Sequence, residues 1–367
     1  MSSKKLAETL SGENIPTKAQ ILKLAERLSV PAFAFFMEKY IIPPSEIIDF
    51  RASQHTSLKY GKDTHRFSAI VNLRNFLADL YSRLDWSPPE YLYELTLDEN
   101  PEQSAAAVSQ ILGMQKIRQL SKDKAEFYKN FRLATESLGV FVVQDHNFSS
   151  DIDGFAIYHA NFSSNLIFVN SAKRNHGAKS FTIAHELSHI FGKRSAITDN
   201  YHYDNDIEIF ANEFAASLLI PRDELIEQIE LRRSSFINYE WSIKSATKLS
   251  DHFKCSISAV LVRLAKFGYV KQDVPRQFIA GFGGKGFADG VKPEGHGGKN
   301  GPAPGVIDLA YLGARAVSVI TSALEAKLTT PYEVFENTGL SKKRIEGLLT
   351  VAAERELIKE KSHAIIA

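Results

Sequence analysis

The chain has one cysteine, Cys255, in 367 residues. That excludes an internal disulfide and a thiolate metal cluster. An excess of one charge is absent too: 44 Lys and Arg stand against 43 Asp and Glu, for a net charge of +1. No global field therefore draws nucleic acid or an anionic membrane to it. Long hydrophobic runs are missing. The longest, Val30 to Met37, is far shorter than a bilayer span. Met1-Ser2-Ser3-Lys4-Lys5 is not followed by the apolar segment of a secretion signal. These absences lead to the expectation of a cytoplasmic protein without membrane contact. The remaining composition is that of an ordinary globular chain, long enough for two or three domains.

Glycine is sparse except in one place. Residues 279–305 hold Gly281, Gly283, Gly284, Gly286, Gly290, Gly295, Gly297, Gly298, Gly301 and Gly305, with Pro293, Pro302 and Pro304. Gly281-x-Gly283-x-x-Gly286 formally matches a dinucleotide fingerprint, but no strand–helix unit with a downstream acid surrounds it. The stretch reads as a linker. It divides the chain into a helical N-terminal region over 1–120, a mixed domain over 121–270, a linker over 271–306 and a helical C-terminal region over 307–367.

Apolar residues at helical spacing predict helices over 17–29, 68–84, 101–112, 115–120 and 122–138. Val140–Val143, Phe155–Tyr158 and Leu166–Val169 predict strands, the last two as a hairpin. Further helices are expected over 222–231, 242–252 and 256–267, then one long helix over 307–328 and a helical hairpin turning at Gly339. The class is α+β, mostly helical. Leu166, Ile167, Phe168, Val169 and Asn170 are the candidate for an exposed sheet edge that binds an extended peptide.

Phe181 to Gly192 contains His185-Glu186-Leu187-Ser188-His189, an H-E-x-x-H. Residues four apart share a helix face, so His185 and His189 can present two imidazoles to one ion. Glu186 sits one position round, within reach of a water on that ion. Two neutral His ligands and an adjacent carboxylate base are what zinc hydrolysis uses. A catalytic zinc wants a third protein ligand. Glu208, nineteen positions after His189, lies on the amphipathic stretch Asp204–Pro221 and is the candidate; Asp199, Asp204, Asp206 and Glu213 are alternatives. Asn212, one turn on from Glu208, can orient a ligand histidine through its far nitrogen. Tyr201, His202 and Tyr203 fall in the intervening loop and are candidates to steady an oxyanion.

Thr182-Ile183-Ala184-His185-Glu186-Leu187-Ser188-His189 followed by Glu208-x-x-Ala211-Asn212-x-Phe214-Ala215-Ala216-x-Leu218-Leu219-x-Pro221 resembles the ImmA/IrrE family of zinc metallopeptidases. Gly12-Glu13-Asn14-Ile15-Pro16-Thr17, Pro43-Pro44 and Asp49-Phe50-Arg51 are similar to the N-terminal half of longer members, which join a helix-turn-helix remnant to the peptidase. The chain begins with only the last part of that motif. The resemblance implies a zincin-like peptidase domain, zinc at His185, His189 and Glu208, and Glu186 as the catalytic base. It also implies a narrow protein substrate: a helix-turn-helix repressor or an antitoxin, cut to control transcription. The alternative is a non-proteolytic metal-binding regulator or antitoxin-like binding platform. Direct DNA binding is expected to be weak or absent.

Overall fold

The computed structural model describes residues 3–28, 62–86, 93–148, 152–160, 164–172, 175–193, 196–199, 206–232, 243–282 and 302–357. The chain groups into two compact units, Met1–Leu73 and Arg74–Ala367. The first carries helices α1 (Ser3–Leu10) and α2 (Lys18–Leu28) and the start of α3 (Lys62–Arg83), which runs on into the second. Residues 29–61, where the likeness to a helix-turn-helix continues, lie outside the described residues. The expected linker's residues 283–301 lie outside them too.

The second unit opens with α4 (Pro101–Leu112), α5 (Met114–Leu120) and α6 (Lys124–Ser137). Each start has a local cause. Asn100 accepts a hydrogen bond from the Glu102 amide, and Pro101 stands at the first helical position, where its missing N–H costs nothing. Asp123 caps α6 through the Glu126 amide. Gly113 ends α4 in the left-handed region, where glycine carries no steric penalty. Residues 74–120 thus group with the mixed domain that follows and not with residues 1–73.

The sheet has four strands, β1 (Phe141–Asp145), β2 (Ile152–Ile157), β3 (Leu166–Asn170) and β4 (Ala196–Asp199), in the order β1-β3-β2-β4. β1 runs parallel to β3, and β2 runs antiparallel to both β3 and β4. β3 is therefore an interior strand, not the exposed edge expected for Leu166–Asn170. The physical reason is visible in its composition: all five residues are buried, which requires cover on both faces. Ile167 and Val169 join the main core with Val142 and Ala156. Phe168 points the other way and packs on Phe148 and Phe155, with ring centroids 4.4 and 4.6 Å apart. β4 lies in the stretch expected as a loop between the two metal-bearing helices. It pairs with Phe155 and Ala156, and the pairing slips between Ile152 and Gly154.

Helix α7 (His176–Phe191) lies on the sheet, and α8 (Asp206–Leu219) packs on α7 and on α4. α9 (Arg222–Leu231), α10 (Ile243–His252), α11 (Ile257–Lys266) and α12 (Val274–Phe282) complete this part. α12 falls inside the stretch expected as linker.

The C-terminal region holds α13 (Pro304–Leu312), α14 (Ala314–Glu325), α15 (Pro331–Thr338) and α16 (Lys342–Glu354). The single long helix expected over 307–328 is two helices bent by 111° at Gly313. Gly313 has φ +87, and a side chain there would collide with Glu136, Arg132 and the Val142 carbonyl. Glu136 accepts hydrogen bonds from the Ala314 and Arg315 amides at 3.0 and 3.4 Å, capping α14. Arg132 donates to the Val142 and Ala310 carbonyls at 3.1 and 2.7 Å. α13 and α16 cross where Gly305 meets Gly347, close enough that no side chain fits at Gly305. No single described helix is long and apolar enough to cross a membrane.

Candidate metal centre

Helix α7 is set by its N-terminus and its burial. Asn175 accepts from the Ala178 amide at 2.8 Å and so satisfies one of the helix's free donors. Gly177 lets the first turn press against the backbone of Cys255 and Ser256. Cys255 itself is a fully buried thiol in the core. Ile183, Ala184, Leu187, Ile190 and Phe191 are each at most 1% exposed. The helix is buried nearly all round, which is why His185 and His189 are also only 2% exposed. Buried imidazoles need partners, because desolvating a polar group without one is costly.

Those partners come from α8. Phe210, Ala211, Phe214, Ala215 and Leu218 anchor it in the core. Glu208 and Asn212, one turn apart, then face α7. The Asn212 side-chain carbonyl lies 3.1 Å from His185 Nδ1, and Glu208 Oε2 lies 3.1 Å from His185 Nε2. Glu208 Oε1 is 3.4 Å from His189 Nε2, which is itself 3.1 Å from His185 Nε2. Since the Asn212 oxygen can only accept, His185 carries its hydrogen on Nδ1 and turns a lone pair on Nε2 toward Glu208 and His189. The acceptor atoms of three side chains then converge on one point, and a cation belongs between them. A proton is one such cation. Burial alone would lower the His185 pKa, but the Glu208 hydrogen bond, the charges of Glu186 and Glu208, and Asn212 together raise it above the ordinary value.

Glu186 is fully buried on the sheet side of α7. A Cβ added at Gly154 of β2 would lie 2.5 Å from Thr182 Cγ2, 2.7 Å from the Phe168 carbonyl and 3.1 Å from Glu186 Oε1. Glycine at 154 therefore allows the helix and the sheet to close around the carboxylate. Nothing in the linear sequence marks Gly154 for this role, because the approach joins residues more than thirty positions apart.

Among the alternative third ligands, Glu213 is drawn away into an ion pair with Lys266 at 3.0 Å, and Asp206 is exposed. Asp204 lies outside the described residues, as do Tyr201, His202 and Tyr203, and the side chain of Asp199 is likewise not described. Among the described residues, His185, His189 and Glu208 are the one group of three or more His, Cys, Asp or Glu placed to hold a metal ion. The sequence reading missed a neighbouring feature: a pocket beside His189, walled by Leu95, Thr96, Leu97, Ser188, Gly192, Ile207 and Phe210.

The group fits a zinc ion on its own geometry. Zinc bonds of about 2.0–2.2 Å meeting at tetrahedral angles place ligand atoms about 3.3–3.6 Å apart. The three separations here, 3.1, 3.1 and 3.4 Å, lie within a few tenths of an ångström of that range. Two imidazoles and one carboxylate are also a donor set that catalytic zinc uses. No curated protein matches the chain. A family model, the IrrE N-terminal-like domain Peptidase_M78, matches residues 121–265, which span the sheet, α7, α8 and the metal group. Over residues 121–265 the chain is therefore similar to the IrrE N-terminal-like, or ImmA/IrrE, family of metallopeptidases.

Proposed function

We propose that the chain is a zinc endopeptidase that cuts a partner regulatory protein, a helix-turn-helix repressor or an antitoxin, and so controls transcription. The observation that carries the hydrolase reading is the convergence of His185, His189 and Glu208 beside the buried carboxylate of Glu186. Bound there, zinc supplies Lewis acidity toward a peptide carbonyl and a water. His185 and His189 hold the ion with neutral imidazoles. Asn212 keeps the His185 ring in the tautomer that presents Nε2. Glu186 accepts the proton of the attacking water and returns it to the leaving amine. Tyr201, His202 and Tyr203, the candidates for steadying the developing oxyanion, lie outside the described residues.

β4 is the edge we assign to the substrate in place of β3. Among the described residues it pairs only with β2, the strand whose Gly154 touches Glu186. An extended peptide added to β4 would lie two strand spacings, about 10 Å, from β2. The narrow protein substrate rests on the family likeness.

The metal reading is tested on purified protein by elemental analysis. About one zinc per chain is expected, lost in His185→Ala and in His189→Ala and weakened in Glu208→Ala. Full metal content in the double histidine variant would remove the site from the account. Loss in Asp204→Ala with retention in Glu208→Ala would move the third ligand.

A further inference from the structure

We propose that Lys179 is a modification site: a half-sealed amine on helix α7 that takes an acyl group from a small acyl phosphate. The proposal is independent of the hydrolase reading, because Lys179 stands six positions before His185 and outside the metal group. Lys179 is only 8% exposed, and a lysine is rarely buried so far without an acid to pair with. Its Nζ stands over the Tyr128 ring of α6, 4.6 Å from the ring centre. The Tyr128 hydroxyl donates to Gln144 Oε1 of β1 at 2.8 Å, which holds the ring in place. His176, three positions before Lys179 on α7, lies against the same ring with centroids 5.7 Å apart. Among the described residues the ring is the one partner of the amine, and Nζ is not among the sealed polar atoms that lack a hydrogen bond. It therefore keeps an opening to solvent.

A ring face attracts an ammonium, but less strongly than a carboxylate does. The charge that faces Lys179 from α6 is Arg132, one turn on from Tyr128 and of the same sign. From β1 it meets the uncharged Gln144 through Tyr128. Burial and the Arg132 charge together lower the Lys179 pKa to about 8. At pH 7.5 about one-quarter of the amine is then neutral, against about one in a thousand for an ordinary lysine. The neutral amine is the nucleophile. Its nitrogen attacks the acyl carbon and the N–C bond forms. The bond from that carbon to the phosphate oxygen breaks, phosphate leaves with the electron pair, and the surplus proton passes from nitrogen to water. The amide that results is uncharged, so burial no longer works against it. The exposure of Lys179 admits a small donor in preference to a bulky carrier, and the two neighbouring cations favour an anionic one.

The test treats the full folded chain with acetyl phosphate at low occupancy and reads each lysine by quantitative peptide mass spectrometry. The exposed Lys271 and Lys342 serve as internal references. At pH 7.5 Lys179 should be acetylated about tenfold faster than either, the gain in neutral amine being offset in part by its lower basicity and its burial. Followed with rising pH, its rate should level off above a midpoint of about 8. In urea, where the Tyr128 ring and the burial are lost, the preference should vanish. A rate at or below that of Lys271 and Lys342 in the folded chain overturns the proposal. So does a preference that survives in urea, which would trace it to local sequence and not to the folded site.

Discussion

At the scale of single residues, the centre depends on how one histidine is held. His185 has both ring nitrogens engaged, Nδ1 by Asn212 and Nε2 toward Glu208 and His189. Asn212→Ala removes the acceptor that fixes the tautomer while leaving every ligand in place. Zinc affinity should fall about 10- to 100-fold, the usual effect of losing such a supporting partner. Competition against a chromogenic chelator measures it, and unchanged affinity would show that Asn212 does not orient the ring. These residues were legible in the sequence for a local reason. His185 with His189, and Glu208 with Asn212, are each four apart on a helix, so spacing alone places each pair on one face. Gly154 and Leu95 to Leu97 were not legible. Their contacts with α7 join distant parts of the chain, and no periodicity reports a tertiary approach.

At the scale of elements, helices are legible in the sequence and the strands only in part: the β2–β3 hairpin is there, the rest of the strand order is not. Apolar spacing located α4 through α11 to within a few residues, because a helix shows its buried face in its own sequence. Strand order is set by neighbours that are distant in sequence. Leu166–Asn170 reads as a candidate edge in sequence, but the strand is buried throughout and paired on both sides, to β1 and to β2. β4 has only four residues, Ala196-Ile197-Thr198-Asp199, too few to show an alternation. The break at Gly313 was hidden inside a run of good helix formers. Its cause is the buried Arg132–Glu136 pair of α6, which takes hold of the chain at the bend. Burial pushes the Glu136 carboxyl up; Arg132 and the Ala314 and Arg315 amides hold it down in part. Glu136→Ala leaves a buried guanidinium without its carboxylate and α14 without its cap. The cost should be about 3–5 kcal/mol in chemical denaturation, the range for breaking one side of a buried pair. A loss below about 1 kcal/mol would mean that the pair does not anchor the C-terminal helices.

At the scale of the whole molecule, the question is whether the chain cuts the regulatory protein proposed as its partner or only binds it. Charge argues against an independent DNA-binding protein. With a net charge of +1, few phosphates are neutralised. Duplex DNA should bind weakly and without sequence preference. A tight, sequence-specific gel shift with the purified chain would contradict this and favour a direct regulator. The grouping of residues 74–120 with the mixed domain was not legible, because the helical pattern over 1–120 changes nowhere near residue 74. Cutting and binding share the same ligands, so only a residue outside the ligand set separates them. Glu186 is that residue. Glu186→Gln keeps size and hydrogen-bonding capacity and removes the base. Measured together, zinc content should stay at about one per chain, and cleavage of a co-expressed candidate repressor should fall by about two to four powers of ten, the contribution of a general base. Undiminished cleavage by Glu186→Gln with its zinc in place would contradict the account.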